Sequence, residues 1–529
     1  MIAFNALQNS VSWGPLSLAV KLAAAGKADD SHSHGMRQMS LKALFKGLRA
    51  QMIKSGREQN VTCLITDSRR VVPGSIFFAM HGQHHDGNAF IEEAIGRGAV
   101  AIVSSEPKPS LCPVVYVQVP NVREALSVAA RRFFGFPDEQ LRLLGVTGTN
   151  GKTTVATLTQ FLLRSGERPV GLLGTNCYDL GKRTLPSYRT TPESVDICAM
   201  LAQMCENGCE QAVMEVTSHG VDQQRVSGLA IECAAFLNLS REHMDYHGDM
   251  ESYYQVKRKL FVGRKGLDVA VINADDPYGK RLIDDLAEEQ VRIIRFGVDA
   301  GADILARNIV CGPKGTRFEL VWPEGSAQIK THLVGLFNVR NILASMALGY
   351  ASGEDIQAWA MRISGFRGVE GRVEQIDEGQ AFQVLVDFAH TDDALNNTLS
   401  MLKQITPGRL LTVFGCGGER DREKRPLMTE VVQQWSDYAW ATSDNPRKEA
   451  QEQIFDDMKR GVAYPERIIF EANRARAIAR ALEAAAPGDC VLIAGKGHEA
   501  YQDCGDVVLP FDDRAVARSW LQQAEVSRS

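Results

Sequence analysis

At 529 residues the chain is too long for one hydrophobic core, and its length predicts about three domains. Its 44% hydrophobic and 23% charged composition, with a net charge of -5, is that of a soluble globular chain. It gives no basic excess to favour nucleic acid or an anionic membrane, and no apolar run reaches the length of a membrane span.

The eleven cysteines are scattered, with Cys63, Cys233 and Cys490 in apolar runs, and read as free thiols of a reducing compartment. Cys205 and Cys209 lie one helical turn apart but have no second pair to complete a metal site. Residues 1–38 form an extension without an assigned role. It has a mildly amphipathic stretch at 13–26 and two histidines, His32 and His34, expected to be solvated. It lacks the basic start and cleavage signature of a secretory leader.

Residues 39–140 are expected to form a small α/β domain. A serine-capped helix opens at Ser40. Strands are expected at 61–65, 75–80, 100–104 and 114–117, a helix at 90–97, and a glycine-bearing ligand loop at 82–88. Residues 141–370 follow as a central unit. An apolar strand runs into Thr147-Gly148-Thr149-Asn150-Gly151-Lys152-Thr153-Thr154, and helical apolar spacing continues to Leu163. Strand, glycine turn, Lys-Thr and helix together wrap phosphate: backbone N–H groups face the anion, lysine adds charge, and the next hydroxyl can ligate Mg²⁺. The Walker A pattern would place glycine where Val146 stands.

Further strands are expected at 170–173, 211–216, 234–239 and 269–272, and a helix led by Pro192. Polar residues collect past these strand ends, where ligands of open α/β sheets bind. Residues 371–529 repeat the strand–loop–helix pattern, predicting a third, parallel-sheet domain. Its strands end at Asp387, at Gly415-Cys416-Gly417-Gly418, at Asp444-Asn445-Pro446-Arg447 and at Gly495-Lys496-Gly497-His498-Glu499. The glycine run at 415–418 lacks the spacing of a dinucleotide fingerprint, so NAD is not expected.

Glu215 and His243 follow separate strands of the central unit. With Thr153 they are expected to hold Mg²⁺ on a nucleoside triphosphate. Composition alone makes Lys257 a solvated helix lysine. Arg372, Arg420, Arg447 and Lys496 stand near strand ends or turns, and arginine forks recognise carboxylate and phosphate. Arg447, behind Asn445-Pro446, is expected to read a fixed carboxylate; His498 and Glu499 are expected to read a substrate ammonium.

Over about residues 39–525 the sequence resembles the Mur ligases of bacterial cell-wall synthesis. The matching motifs include TDSRRVVPGSIFFAMHG (66–82), TGTNGKTT (147–154), TTP (190–192), EVTSHGVDQQRV (215–226), NLSREHMDYHGDMESYYQVK (238–257), GLFNVRN (335–341), GRVE (371–374), DFAHTDDAL (387–395), DNPR (444–447) and GKGHE (495–499). The resemblance implies a small amino-terminal α/β domain, a central P-loop mononucleotide-binding domain and a Rossmann-like carboxy-terminal domain.

It also implies an ATP- and Mg²⁺-dependent amide ligase, cytoplasmic and monomeric, in the peptidoglycan synthesis on which cell shape and division depend. Its substrates would be UDP-N-acetylmuramoyl-L-alanyl-D-glutamate and meso-diaminopimelate, joined through an acyl phosphate. Family roles carried over by motif give Ser68 to the uridine nucleotide. Gly148, Thr149, Asn150, Gly151, Lys152, Thr153 and Thr154, with Asn341 and Arg372, go to ATP. Thr190, Thr191, Thr217, Gln223 and Arg225 go to the muramoyl-peptide. Arg420, Asp444, Asn445, Arg447, Gly495 and Glu499 go to diaminopimelate. Thr153, Glu215, His243 and Lys257 go to metal, with Lys257 carbamylated.

The chain departs from the family pattern at Thr217 for serine, at Phe388 for tyrosine, at Asp392 for proline and at Lys448-Glu449-Ala450-Gln451 after DNPR. Three alternatives stay open at this point: a folylpolyglutamate synthase-type ligase, which leaves the DSRRVVPG segment and Arg447 unexplained; a ligase for lysine or another diamine; and a nucleotide-dependent scaffold, against which Lys152, Thr153, Glu215, His243 and Lys257 argue.

Overall fold

A computed structural model describes residues 37–53, 60–82, 86–164, 166, 168–299 and 301–526. The amphipathic stretch at 13–26, His32 and His34 lie outside the described residues, as does part of the expected ligand loop at 82–88. The chain divides into two compact units: one comprises Met1–Gly145, Gly166–Glu232 and Gly263–Leu267, the other Val146–Ser165, Cys233–Val262 and Asp268–Ser529.

The first unit holds a five-stranded sheet in the order Gln51–Ile53, Val115–Gln118, Ala101–Ser104, Ser75–Phe78, Cys63–Ile65, parallel except at the first pair. Its strands are near-continuous apolar runs, as a parallel sheet covered on both faces requires. The strand expected at 61–65 is broken at Thr62. Val61 pairs antiparallel with Met39, whereas Cys63 turns to a parallel partner at Ser75. The helix Val122–Phe133 is an element the sequence reading did not assign. Asn121 caps it through Arg123 N and Glu124 N, and Val122, Ala125, Leu126, Ala129, Ala130 and Phe133 bury one face at helical spacing.

Later in the same unit, Gln211–Glu215 and Val170–Leu173 pair in parallel, and Cys177–Asp179 and Thr184–Pro186 extend the order antiparallel. Pro192 does not start a helix. The helix runs Ser194–Glu206 with Glu193 as its cap. Thr191, directly before the proline, donates to Glu215 O and accepts from Arg225.

In the second unit Ile231–Phe236, Val269–Asn273, Arg292–Gly297 and Ile304–Gly312 run parallel. Gly315–Trp322 and Gly325–Thr331 then fold back antiparallel as hairpins the sequence reading did not assign. A separate six-stranded sheet has the order Glu374–Gln375, Gln383–Asp387, Cys490–Ala494, Leu410–Cys416, Tyr438–Ser443, Ile468–Glu471, parallel beyond its first pair. Alternate residues feed two apolar cores: Leu385, Leu410 and Phe414 on one face, Val384, Leu411 and Val413 on the other. Burial on both faces fixes this sheet, so the loops at its carboxyl edge stand on a rigid floor.

All eleven cysteines are free thiols. No helix among the described residues is long and apolar enough to cross a membrane.

Candidate active site

The strand Arg142–Thr147 delivers the chain into the phosphate loop, and the helix Lys152–Leu163 leaves it. Gly151 caps that helix at φ +91°, a conformation open to glycine at little cost. A Cβ there would stand 2.4 Å from Asn341 Oδ1, so Asn341 abuts the loop from the helix Leu336–Ala351. The loop is braced by Asn238, whose carbonyl accepts from Thr149 N (3.0 Å) and whose side chain exchanges two bonds with the Asn150 backbone (2.8 and 3.0 Å). Lys152 Nζ donates to Gly148 O and Thr149 O, both at 2.8 Å. A second brace is Asp393, which accepts from Asn150 Nδ2 (2.8 Å) and Ser240 Oγ (2.7 Å).

Lys257 is not solvated, which corrects the compositional reading. It is 1% exposed, because it falls four residues after Tyr253 and shares that residue's buried helix face. Its Nζ donates to Gly148 O (3.1 Å) and sits 4.9 Å from the Tyr253 ring centroid. Burial, reinforced by the nearby Lys152 charge, holds its pKa well below that of an ordinary lysine. Arg372 stacks 4.6 Å from the Phe388 ring centroid and donates to Thr153 Oγ1 at 3.3 Å.

A cleft of about 250 Å³ opens at the carboxyl edge of the six-stranded sheet, with His243, Arg420, Asp444, Asn445, Arg447, Gly495 and Glu499 in its lining. Four strand ends supply it, as expected. Arg447 stands at φ +53°, and its amide donates to Asp503 O (2.9 Å) while Nη1 donates to Gly418 O (2.7 Å). Lys496, fully buried, donates to Asn445 Oδ1 (2.9 Å) and Glu499 Oε2 (3.1 Å), and Asn445 Nδ2 donates to Glu499 Oε2 (2.9 Å). Gly495 stands at φ +117°, and a Cβ there would lie 2.7 Å from Asp444 Oδ2. His498 is not in the cleft lining; its ring packs 5.4 Å from that of Phe388.

In the other unit Glu215, 1% exposed, accepts from Thr175 N (2.7 Å) and Thr175 Oγ1 (3.0 Å), and Thr175 Oγ1 reaches Thr190 Oγ1 at 3.1 Å. Thr191 donates to Glu215 O (2.9 Å) and accepts from Thr217 N (3.0 Å). Arg225 donates to Thr191 O (2.8 Å) and Gln223 Oε1 (2.6 Å). These hydroxyls, Gln223 and Arg225 thus form one cluster around Glu215. Ser68 lies in the segment between strands Cys63–Ile65 and Ser75–Phe78, where its hydroxyl donates to Glu93 Oε2 at 2.6 Å. Sequence reading named neither Thr175 nor Asp393; both act through hydrogen bonds that no spacing rule encodes.

Two histidines give the fold an acid-side weakness. Burial pushes His390 and His498 down to about 4, against about 6.5 in the unfolded chain. Between those values the unfolded chain binds more protons, so stability rises with pH in this window and is lost on acidification. The thermal midpoint is expected to fall steadily from pH 6.5 toward pH 4. His498→Asn should flatten that slope; an unchanged slope would remove His498 from the account.

The family model described as the Mur ligase middle domain matches residues 146–349, that of the Mur ligase glutamate ligase domain 371–497, and that of the Mur ligase family catalytic domain 60–134. The chain belongs to the Mur ligase family. As a Mur ligase it is an ATP-dependent, amide-bond-forming enzyme with the three-domain architecture of that family. It is 44% identical over 468 residues to a UDP-N-acetylmuramoyl-L-alanyl-D-glutamate–2,6-diaminopimelate ligase of Solibacter usitatus, covering 88% of this chain and 94% of that one. It is 42% identical over 495 residues to the ligase of the same name from Geobacillus thermodenitrificans, covering 92% and 100%. A solved structure of a ligase with that name superposes with a TM-score of 0.66 at 34% identity, covering 92% of this chain and 99% of the other. A Mycobacterium tuberculosis folylpolyglutamate synthase shares the fold at TM-score 0.58, but at 18% identity and over 70% of this Mur ligase.

Proposed function

We propose that the chain joins meso-2,6-diaminopimelate to the D-glutamate side-chain carboxylate of UDP-N-acetylmuramoyl-L-alanyl-D-glutamate, using ATP, in the cytoplasm and as a monomer. The observation that carries this reading is the mixed charge of the cleft, whose lining holds Arg420 and Arg447, able to pair with carboxylates, beside Asp444 and Glu499, able to pair with ammonium groups. A diamino diacid presents both signs at both ends.

The reaction runs in two displacements. A D-glutamate carboxylate oxygen attacks the γ-phosphorus of ATP, and ADP leaves. The amine nitrogen of diaminopimelate then attacks the acyl phosphate carbon, its proton goes to solvent, and inorganic phosphate leaves. Carboxylates are poor acyl donors, and phosphorylation supplies the leaving group. The protein's work is then positioning and charge neutralisation. The phosphate-loop amides of Gly148 to Thr154 and the Lys152 ammonium hold the triphosphate, with Asn341 and Arg372 beside it. The Thr190–Thr191–Thr217 hydroxyls, Gln223 and Arg225 orient the muramoyl-peptide, and Ser68 takes the uridine nucleotide.

Mg²⁺ fits the chemistry of the donor set. Thr153 and Glu215 offer the hard oxygens it prefers, His243 adds an imidazole, and a carbamate on Lys257 would add an anionic oxygen pair. Among the described residues no three His, Cys, Asp or Glu side chains make a ready metal cage, and Mg²⁺ in nucleotide sites draws its remaining ligands from phosphate and water. When bound, it neutralises phosphate charge. The depressed pKa of Lys257 supports carbamylation, since a neutral amine is the form that adds to CO₂.

An amino-acid panel read by phosphate release and product mass tests the substrate. Diaminopimelate is expected to give the highest kcat/KM, and faster turnover with lysine would sink the assignment.

A further inference from the structure

Arg425 lies in the helix Lys424–Trp435 and has a fully buried side chain, yet it does not line the cleft. Its Nη1 donates to Glu449 Oε1 (2.7 Å) and Asp457 Oδ2 (2.8 Å), and its Nη2 donates to Glu449 Oε2 (2.7 Å) and Gly417 O (3.2 Å). Glu449 Oε2 accepts in turn from the amide of Glu419 at 2.9 Å. One guanidinium and the carboxylates of Glu449 and Asp457 therefore tie together the loop after strand Leu410–Cys416, the loop after strand Tyr438–Ser443 and the helix Gln451–Lys459.

Those two loops carry two of the cleft's arginines. The first bears Arg420, the second Arg447, and their backbones meet where Gly418 N donates to Asn445 O (2.9 Å). The fit is close: a Cβ on Gly418 would lie 1.9 Å from Pro446 O. The Arg447 guanidinium hangs from this seam through Gly418 O. A shift between the loops would therefore move the Arg447 fork and the Arg420 fork relative to each other.

We propose that the Arg425–Glu449 pair is a positioning element for amino-acid selection, setting the separation of Arg420 and Arg447 without touching the substrate. It rests on the reading of the cleft as the diaminopimelate site. A buried pair of this kind returns little net stability, because desolvation offsets the attraction. What it does supply is a bidentate, planar constraint on two loops.

The test is Glu449→Gln in the full chain, which keeps the side-chain volume and removes the charge. The KM for diaminopimelate is expected to rise about tenfold or more, with the KM for ATP within about twofold, and the preference for diaminopimelate over lysine should fall by a similar factor. Gly418→Ala, which keeps both charges but would press a Cβ on Pro446 O and on Glu449 Cβ, should move the same two quantities in the same direction. A lowered thermal midpoint with unchanged KM and unchanged preference in both variants would make the pair structural only and overturn the inference. Arg447→Ala separates the two readings. If it raises the diaminopimelate KM while Glu449→Gln and Gly418→Ala do not, this inference fails and the cleft assignment stands. If Arg447→Ala has no effect, the cleft assignment fails and takes this inference with it.

Discussion

Arg447→Ala is expected to raise the KM for diaminopimelate by ~10–100-fold while leaving the KM for ATP nearly unchanged. The size follows from losing charge-assisted hydrogen bonds, each worth about 1.5–3 kcal/mol, at about 1.4 kcal/mol per factor of ten. The split follows from location: Arg447 lines the cleft at the carboxyl edge of the six-stranded sheet, on a different loop from the phosphate-binding turn. The substitution does not relieve backbone strain, because alanine carries the same Cβ into the left-handed region that Arg447 occupies. The Asp503 O bond to the residue 447 amide is also kept. A changed thermal midpoint is therefore not the expected readout. Selectivity should suffer more than affinity. A site built around a guanidinium is penalised by a diamine lacking the second carboxylate, and that penalty disappears with the guanidinium. Equal KM values for diaminopimelate in Arg447→Ala and the parent would remove the role assigned to this arginine.

Lys257→Ala should reduce turnover by about a thousandfold, the scale for removing a preorganised electrostatic group from a phosphoryl-transfer site. Lys257 is enclosed, four residues from Tyr253 on the buried helix face and hydrogen-bonded to the phosphate-loop carbonyl Gly148 O. If it works as a carbamate, intact-protein mass in bicarbonate should show one added CO₂ on the parent chain and none on the variant. Retention of a tenth of the parent rate in Lys257→Ala would dismiss the assignment. A normal rate with an unmodified parent mass would leave Lys257 as an amine.

What the sequence made legible follows its local physics. The phosphate loop reads directly, because Gly151 must take a positive φ and the strand and helix around it have opposite periodicities. The cleft residues Asp444, Asn445, Arg447, Gly495 and Glu499 were also findable, because each follows an apolar strand, where open α/β sheets gather ligands. Lys257 was misread by composition. A helix segment with three basic residues in a row declares a polar face, but the packing partner decides which of them turns inward. Arg425 and Glu449 left no signal, being 24 positions apart on separate elements with only tertiary packing to join them. The hairpins over 304–331 carried turn signals at Pro313-Lys314-Gly315 and Pro323-Glu324-Gly325 that the strand assignments, which stop at 272 in the central unit, did not take up.

Asp393 has a thermodynamic consequence. It stands in the first turn of the helix Asp392–Ile405, yet takes hydrogen bonds from Asn150 of the phosphate loop and from Ser240, three residues before His243 of the cleft wall. Asp393 thus joins the glycine loop to the segment that carries His243. Whatever factor bound ATP contributes to diaminopimelate affinity, diaminopimelate must return to ATP. Any coupling carried through Asp393 therefore acts equally in both directions.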